Sequence, residues 1–384
     1  MDINFHYFAV KVTAVMAGYS DQDADGIAAY SQYVDDYFDN NTFRVSTPPP
    51  FDTPIYSENS KVSSVETGIE VLKSLTKKHQ TSVIIPFHFI PPQALSIAGD
   101  GYRTTPAQWQ DFDHQLIVQM LHTLIDHHST HPSFRVFLGM LLHIFADTYA
   151  HQSFNGFHKK NINDGRVTRA TEAHLDGSSC EKSYGIYAGL SAIGHADLGT
   201  APDETALTYT CMRDTGSGQM VTQPERTNAD VFLDCAYGIL RILREARHVS
   251  APEEQEFRML EQELRKGFLI PCTSSISQLC THWRENVPEI NGTAITYNYD
   301  ARVIHDRFFS IQEEKLPQNM TVAQTSDLLC KIAEQAEEQE AETQKLASAH
   351  NELEYLTALG AVNPTSHYYY YNTCAYRIRE LVNR

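Results

Sequence analysis

The sequence predicts an all-α, mainly helical protein on three observations. Apolar side chains recur at helical spacing along most of the chain, credible strands are few, and Ser20, Pro106 and Pro132 stand where helices start. Residues 4–19 repeat Phe5, Ala9, Val12 and Met16, and residues 21–38 repeat Ile27, Ser31, Val34 and Phe38, which predicts two helices paired as a hairpin. The stretch 40–60 carries Pro48, Pro49, Pro50 and Pro54 and reads as a long surface connection. A helix over 64–79 is expected next, then a buried extended segment over 82–92, broken by Pro86, Pro91 and Pro92. Helices follow at 106–128 and 133–154, a polar glycine-containing loop at 155–182, and a small-residue helix at 184–194. Beyond a turn at Pro202-Asp203, helices are expected at 226–248, 252–267, 273–285, 321–358 and 366–383. Composition shifts near 215–225, so residues 1–215 read as a histidine-rich helical metal-site core. Residues 216–384 read as a C-terminal helical part, either separate or packed into the same domain.

A formal charge of −18 argues against broad binding of a nucleic-acid backbone. No apolar run reaches the roughly 20 residues of a membrane helix, so no transmembrane span is expected. The N-terminus lacks a basic region and Lys11 interrupts its apolar segment, which speaks against a secretory signal. The 7 cysteines form no CxxC pair, so a reducing, cytoplasmic location is expected and no Cys-based zinc site. Histidine is unevenly spread: 13 of the 18 lie between His6 and His195.

The strongest chemical signal is the run Leu138-Gly-Met-Leu-Leu-His143-Ile-Phe-Ala-Asp147-Thr-Tyr-Ala-His151. At about 100° per residue, His143, Asp147 and His151 share a stripe roughly 80° wide on a helix that is otherwise apolar nearly all round. A buried carboxylate costs several kcal/mol unless paired, and two neutral imidazoles compensate it poorly unless a cation joins them. Histidine nitrogens and carboxylate oxygens without thiolates suit Zn, with Mn or Fe compatible. The competing reading is a hydrogen-bonded core histidine beside a satisfied Asp. The same arithmetic turns Asp35 inward, about 80° from Ile27, and Asp36 outward at about 180°. His6 falls at the margin of its apolar stripe, and His88 sits in an apolar segment where it needs a partner. His122 and Asp126 read as a solvated face, and neither Asp126-His127-His128 nor the lone His305-Asp306 doublet has the setting its phosphoesterase namesakes need. The acidic stretch Glu334–Glu342 reads as a solvated helix face, and Tyr368–Tyr371 as core aromatics.

Phe5-His6-Tyr7, Ala28-x-x-Ser31-Gln32-x-Val34-Asp35-Asp36, Pro86-Phe87-His88-Phe89 and the motif LGxxLHxxADTxAHQxF from Leu138 to Phe154 resemble, in that order, an uncharacterised bacterial domain-of-unknown-function family. The likeness extends through Gly194-His195 and Pro202-Asp203 to Tyr371-Asn372 and Arg377. The order of these groups is also distantly similar to the zinc-dependent phospholipase C and single-strand nuclease superfamily, all-helical enzymes that hydrolyse phosphoesters with a three-zinc cluster. That resemblance implies a phospholipase C/nuclease-like helical bundle with long loops and a C-terminal helical extension. It gives ligand roles to His6, Asp35, His88, His143, Asp147, His151 and His195, with Asp147 bridging. Two features depart from it. The superfamily's N-terminal Trp ligand is replaced by Met1-Asp2, and Gly199 stands where a carboxylate would pair with His195, leaving Asp203 as the substitute.

The expected function is a metal-dependent hydrolase of phosphoester bonds holding one to three zinc ions. Asp35 would be the catalytic carboxylate, and the substrate a phosphorylated small molecule, a nucleotide or a lipid headgroup. The alternative is a noncatalytic helical interaction or effector protein with a structural metal site.

Overall fold

A computed structural model describes residues 1–40, 42–44, 48–57, 61–70, 73–95, 102–111, 114–131, 133–184, 193–214, 216–271, 274–308 and 367–384. Most of the predicted helix at 184–194, all of that at 321–358 with Glu334–Glu342, and Cys272 and Cys330 lie outside the described residues. The chain groups into two compact units. One comprises Met1–Phe38, Thr67–Tyr299 and Arg377–Arg384, the other Asp39–Glu66 and Asp300–Tyr376.

The first unit is built around helices. A π-helical stretch, Asn4–Ala9, runs into α1 (Val10–Met16), and Ser20 caps α2 (Asp21–Asp36) by accepting the Asp23 amide at 3.1 Å. A second π-helical stretch, Gln80–His88, continues from the single turn Lys77–His79. Then come α3 (Leu116–His128) and α4 (Phe134–Ala150). Every residue of α4 from Leu138 to Ala150 is buried. Each large apolar side chain buried in this way stabilises by about 1.5–3 kcal/mol, enough together to carry the cost of placing a carboxylate among them. Glycine sets the approach of α4 to α2, since a Cβ at Gly139 would lie 2.5 Å from the Ile27 carbonyl oxygen and 2.8 Å from the Tyr30 Cβ. Helices α5 (Asn228–Ala246), α6 (Glu254–Gly267) and α7 (Ile276–Asn286) complete the unit, the last two started by capping boxes, Glu253 with Glu256 and Ser275 with Gln278. Trp283 stacks on Phe8 at 5.4 Å and donates from its indole to Asn4 at 3.1 Å, which ties α7 to the first helical stretch.

The all-α expectation fails on a five-stranded antiparallel sheet, and the fold is mixed, about 50% helix and 13% strand among the described residues. Its strands are β1 (Gly165–Ala173), β2 (Ser179–Glu181), β3 (Leu207–Asp214), β4 (Met220–Thr222) and β5 (Arg226–Thr227). The order is β2-β1-β3-β4, with β5 also paired to β3. Much of the predicted 155–182 loop is therefore sheet. Two further expectations give way locally. Among the described residues the helix expected over 64–79 is confined to the turn Lys77–His79, and the segment expected to be extended over 82–92 is π-helical as far as His88. Residues 106–115 are irregular where they are described, so α3 starts ten residues later than Pro106 suggested.

In the second unit the strand Lys61–Ser63 pairs with both Thr42–Arg44 and Tyr56–Ser57. The unit also holds α8 (Ala301–Phe308) and α9 (His367–Val382) as far as Tyr376. Tyr368, Tyr369 and Tyr371 are buried, and Asn372 accepts the Val65 amide at 2.6 Å, so this aromatic run is core.

Candidate metal centre

All eight residues singled out from the sequence meet in the first unit. Helix α4 projects His143 and Asp147 from successive turns, and His151 caps it. The first π-helical stretch carries His6, the second ends on His88, and the last turn of α2 presents Asp35. Asp147 Oδ1 lies 3.1 Å from His6 Nε2. Asp147 Oδ2 lies 3.2 Å from His88 Nδ1, 3.4 Å from His143 Nε2 and 3.7 Å from His151 Nδ1. Asp35 Oδ1 sits 3.7 Å from His143 Nε2 and 3.8 Å from His88 Nδ1. Asp203 offers one oxygen to His151 Nε2 and the other to His195 Nε2, each at 3.1 Å. The donor atoms fall into three groups able to hold a metal ion: His6/His143/Asp147, Asp35/His88/His143 and His151/His195/Asp203.

Backbone carbonyls fix how three of these rings are turned. His88 Nε2 donates to the Thr67 carbonyl at 2.8 Å, His151 Nδ1 to the His88 carbonyl at 2.7 Å, and His195 Nδ1 to the Gly199 carbonyl at 2.8 Å. A neutral imidazole holds one proton, so the other nitrogen of each ring turns a lone pair toward Asp147 or Asp203. Lone pair against carboxylate is repulsive unless a positive charge lies between them. Metal-bound histidines are held in this way, the second nitrogen anchored to a carbonyl and the first aimed at the ion. The other available compensation is a second proton on the ring. Burial opposes it at His88, but Asp147 and Asp35 outweigh burial and raise that pKa. At His151 burial prevails and lowers the pKa, which leaves the ring neutral with its lone pair on Asp203.

Sequence reasoning passed over the Met1 amine, which donates to Asp147 Oδ1 at 2.6 Å and lies 3.3 Å from Asp203 Oδ1. Burial disfavours its charge, yet Asp147, Asp203 and Asp35 hold its pKa up at about 11. Burial likewise opposes ionisation of Asp147, but the amine, His151 and His143 keep its pKa well below the usual carboxylate range. Asp203, like Asp147, is held well below the usual carboxylate range against the opposition of burial, by His195, the amine and His151, whereas burial raises the pKa of Asp35. Also missed was Arg103, a buried guanidinium lining one small cavity with His88, Asp147 and His151. It donates from Nε to the Ile90 carbonyl at 3.1 Å and from Nη1 to Gln115 at 2.6 Å, while its buried Nη2 has no hydrogen-bond partner among the described residues. Its only trace in the sequence was an Arg next to an aromatic residue.

Two facing expectations are corrected. Asp36 is half-buried rather than outward, accepting the Tyr299 hydroxyl at 2.5 Å and Gln32 at 3.2 Å. His122 is stacked on Trp109, with ring centroids 3.9 Å apart, rather than solvated, whereas Asp126 is exposed.

Fold and centre thus define a mixed helix-and-sheet protein with a buried histidine–carboxylate cluster able to hold metal. The model of a family of unknown function, DUF6765, matches residues 1–383, and the chain belongs to that family. No curated protein and no solved structure matches it.

Proposed function

We propose that the protein is a metal-dependent hydrolase of phosphoester bonds, with zinc as the preferred ion. The observation that carries this reading is the trio His88, His151 and His195, each pinned through one nitrogen to a backbone carbonyl and aimed through the other at a carboxylate. Residues His6, Asp35, His88, His143, Asp147, His151, His195 and Asp203 would hold the ions, one to three in number. Nitrogen and oxygen donors without thiolate favour Zn over softer-ligand metals. Bound divalent ions lower the pKa of water toward neutrality and offset charge on phosphoryl oxygens.

The chain's own groups divide the remaining work. Asp35 keeps 32% of its side-chain exposure whereas Asp147 keeps 2%, so Asp35 is the carboxylate placed to orient an incoming water and take its proton. Asp147, buried among four histidines and the amine, holds the donors together. Arg103 argues for an anionic substrate. Burial lowers its pKa to about 10, which still leaves it charged at neutral pH, and its free Nη2 suits a phosphoryl oxygen. The order of the histidines and aspartates adds the distant similarity to the phospholipase C and nuclease superfamily, now without its all-helical fold.

Metal analysis paired with hydrolysis of bis(p-nitrophenyl) phosphate tests the reading. Activity should vanish with a chelator and return with Zn²⁺. Metal-loaded protein that is inactive on diester and monoester substrates alike, and that loses its metal only on unfolding, would favour the interaction-protein alternative.

A further inference from the structure

Away from the central cluster, the hairpin of β1 and β2 gathers a different donor set. Glu172 and Cys180 stand directly opposite each other in the ladder, and His174 lies two residues beyond Glu172, so all three share one face. The turn between them is set locally. The His174 amide donates to the Ser178 carbonyl at 3.0 Å, the Asp176 carboxylate accepts the Ser178 amide at 2.9 Å, and Gly177 takes φ +79°. His174 Nε2 lies 3.3 Å from Cys180 Sγ, and Cys180 Sγ lies 3.9 Å from Glu172 Oε2.

We propose that Glu172, His174 and Cys180 form a second metal site, for a borderline-soft divalent ion such as Zn²⁺, with a fourth position open to solvent. A tetrahedral ion with Zn–S of about 2.3 Å and Zn–N and Zn–O of about 2.0–2.1 Å needs its ligand atoms about 3.3–3.6 Å apart. The nitrogen–sulfur and sulfur–oxygen distances, 3.3 Å and 3.9 Å, lie on either side of the value for a sulfur pair and each needs a few tenths of an ångström.

A nucleophilic Cys–His pair is the rival for the same atoms. In that arrangement the carboxylate orients the far nitrogen of the imidazole. Glu172 instead turns its oxygen to the sulfur, so the three groups converge on one point rather than form a relay. Lys182 fits the metal reading as well. It donates to Glu172 Oε1 at 3.0 Å and to Glu204 at 2.8 Å, leaving Oε2 to face the thiol, and a ligating carboxylate is commonly anchored through its second oxygen.

The site is independent of the central cluster, which contains no thiolate, and one titration separates them. Co²⁺ added to the reduced full-length protein should give a near-ultraviolet thiolate-to-cobalt charge-transfer band whose limiting intensity corresponds to one thiolate-bound cobalt per chain and which is displaced by Zn²⁺. Cys180→Ser should abolish the band and remove one metal equivalent. His174→Ala should do the same, and Lys182→Met should weaken binding about tenfold. Cys180 is exposed, so its replacement should not disturb folding, and an unchanged circular dichroism spectrum checks this. His143→Ala, in contrast, should leave the band intact. Absence of the band from the native protein, or its survival in Cys180→Ser, overturns the proposal whatever the central cluster binds.

Discussion

At the scale of single residues, Asp147 is the group on which the centre depends. Removing its charge leaves the Met1 ammonium and the facing imidazoles without their anion, and breaking a buried pair of this kind costs about 3–5 kcal/mol. Asp147→Ala and His143→Ala should therefore lower bound metal and melting temperature together, because a metal site and its fold form as one. Unchanged metal content in both variants would exclude the centre. The neighbours Asp35 and Asp36 separate metal chemistry from ordinary stability. Asp35→Asn should reduce metal or hydrolysis, whereas Asp36→Asn weakens only the bonds from Tyr299 and Gln32, about 1 kcal/mol, and should leave both intact. Arg103→Met gives a third readout. Loss of a charge-assisted hydrogen bond worth about 1.5–3 kcal/mol should lower kcat/KM for a phosphodiester by about 10- to 100-fold at constant metal content. A parallel loss of metal would make Arg103 a structural clamp.

Among the elements, the crossing of α2 and α4 fixes the spacing between Asp35 and the His143–Asp147 pair. Gly139→Ala pushes a methyl group against the Ile27 carbonyl, so it should destabilise by about 1–3 kcal/mol. It should also cut hydrolysis more than the loss of folded protein explains, which activity per folded molecule would reveal. The helices at this crossing were legible because their apolar residues keep helical spacing and Ser20 marks a start. The sheet was not. In β1 only Gly165, Ala170 and Glu172 are buried, a set with no large apolar side chain, and a bulge between Val167 and Arg169 breaks the alternation. Strand β3 does alternate, burying Leu207, Tyr209, Cys211 and Arg213, yet an arginine in that register reads as polar until its position over the Phe154 ring is seen. The π-helical stretch at 80–88 was hidden for another reason. Its residues 83–87 are an unbroken short apolar run that includes Pro86, so no period distinguishes helix from strand.

The molecule as a whole gathers its donors from segments nearly 200 residues apart, from His6 to Asp203, and sequence could nominate them only one segment at a time. The Met1 amine and the Thr67 carbonyl carried no side-chain signal at all. Bound metal should then stabilise globally, by about 2.7 kcal/mol at a free concentration 100 times Kd. The donors nonetheless differ in depth. Asp203 and His195 each keep 17% of their side-chain exposure, whereas His143 keeps 0%. A limiting chelator should remove metal from the His151/His195/Asp203 group, with any phosphodiesterase activity, while metal at His143 and Asp147 remains and the protein stays folded. Release of all metal in one step with unfolding would make the centre structural.

The π-helical stretches bear on which length changes the chain can absorb. Each accommodates more residues per turn than an α-helix, as though one residue had been inserted and kept. Deleting one residue between Gln80 and Phe87 should therefore be largely absorbed by a return to ordinary helical winding, whereas deleting one between Leu138 and Leu142, in the α-helical α4, should turn everything on one side of it by about 100° relative to the other. The second deletion would carry His143 and Asp147 away from Asp35 and His88 although no donor had been substituted. A deletion at the exposed β3–β4 turn, Gly216–Gln219, touches no donor and should be neutral. Metal content across a single-residue deletion scan should show this contrast, and the surviving lengths would mark where such a family can vary.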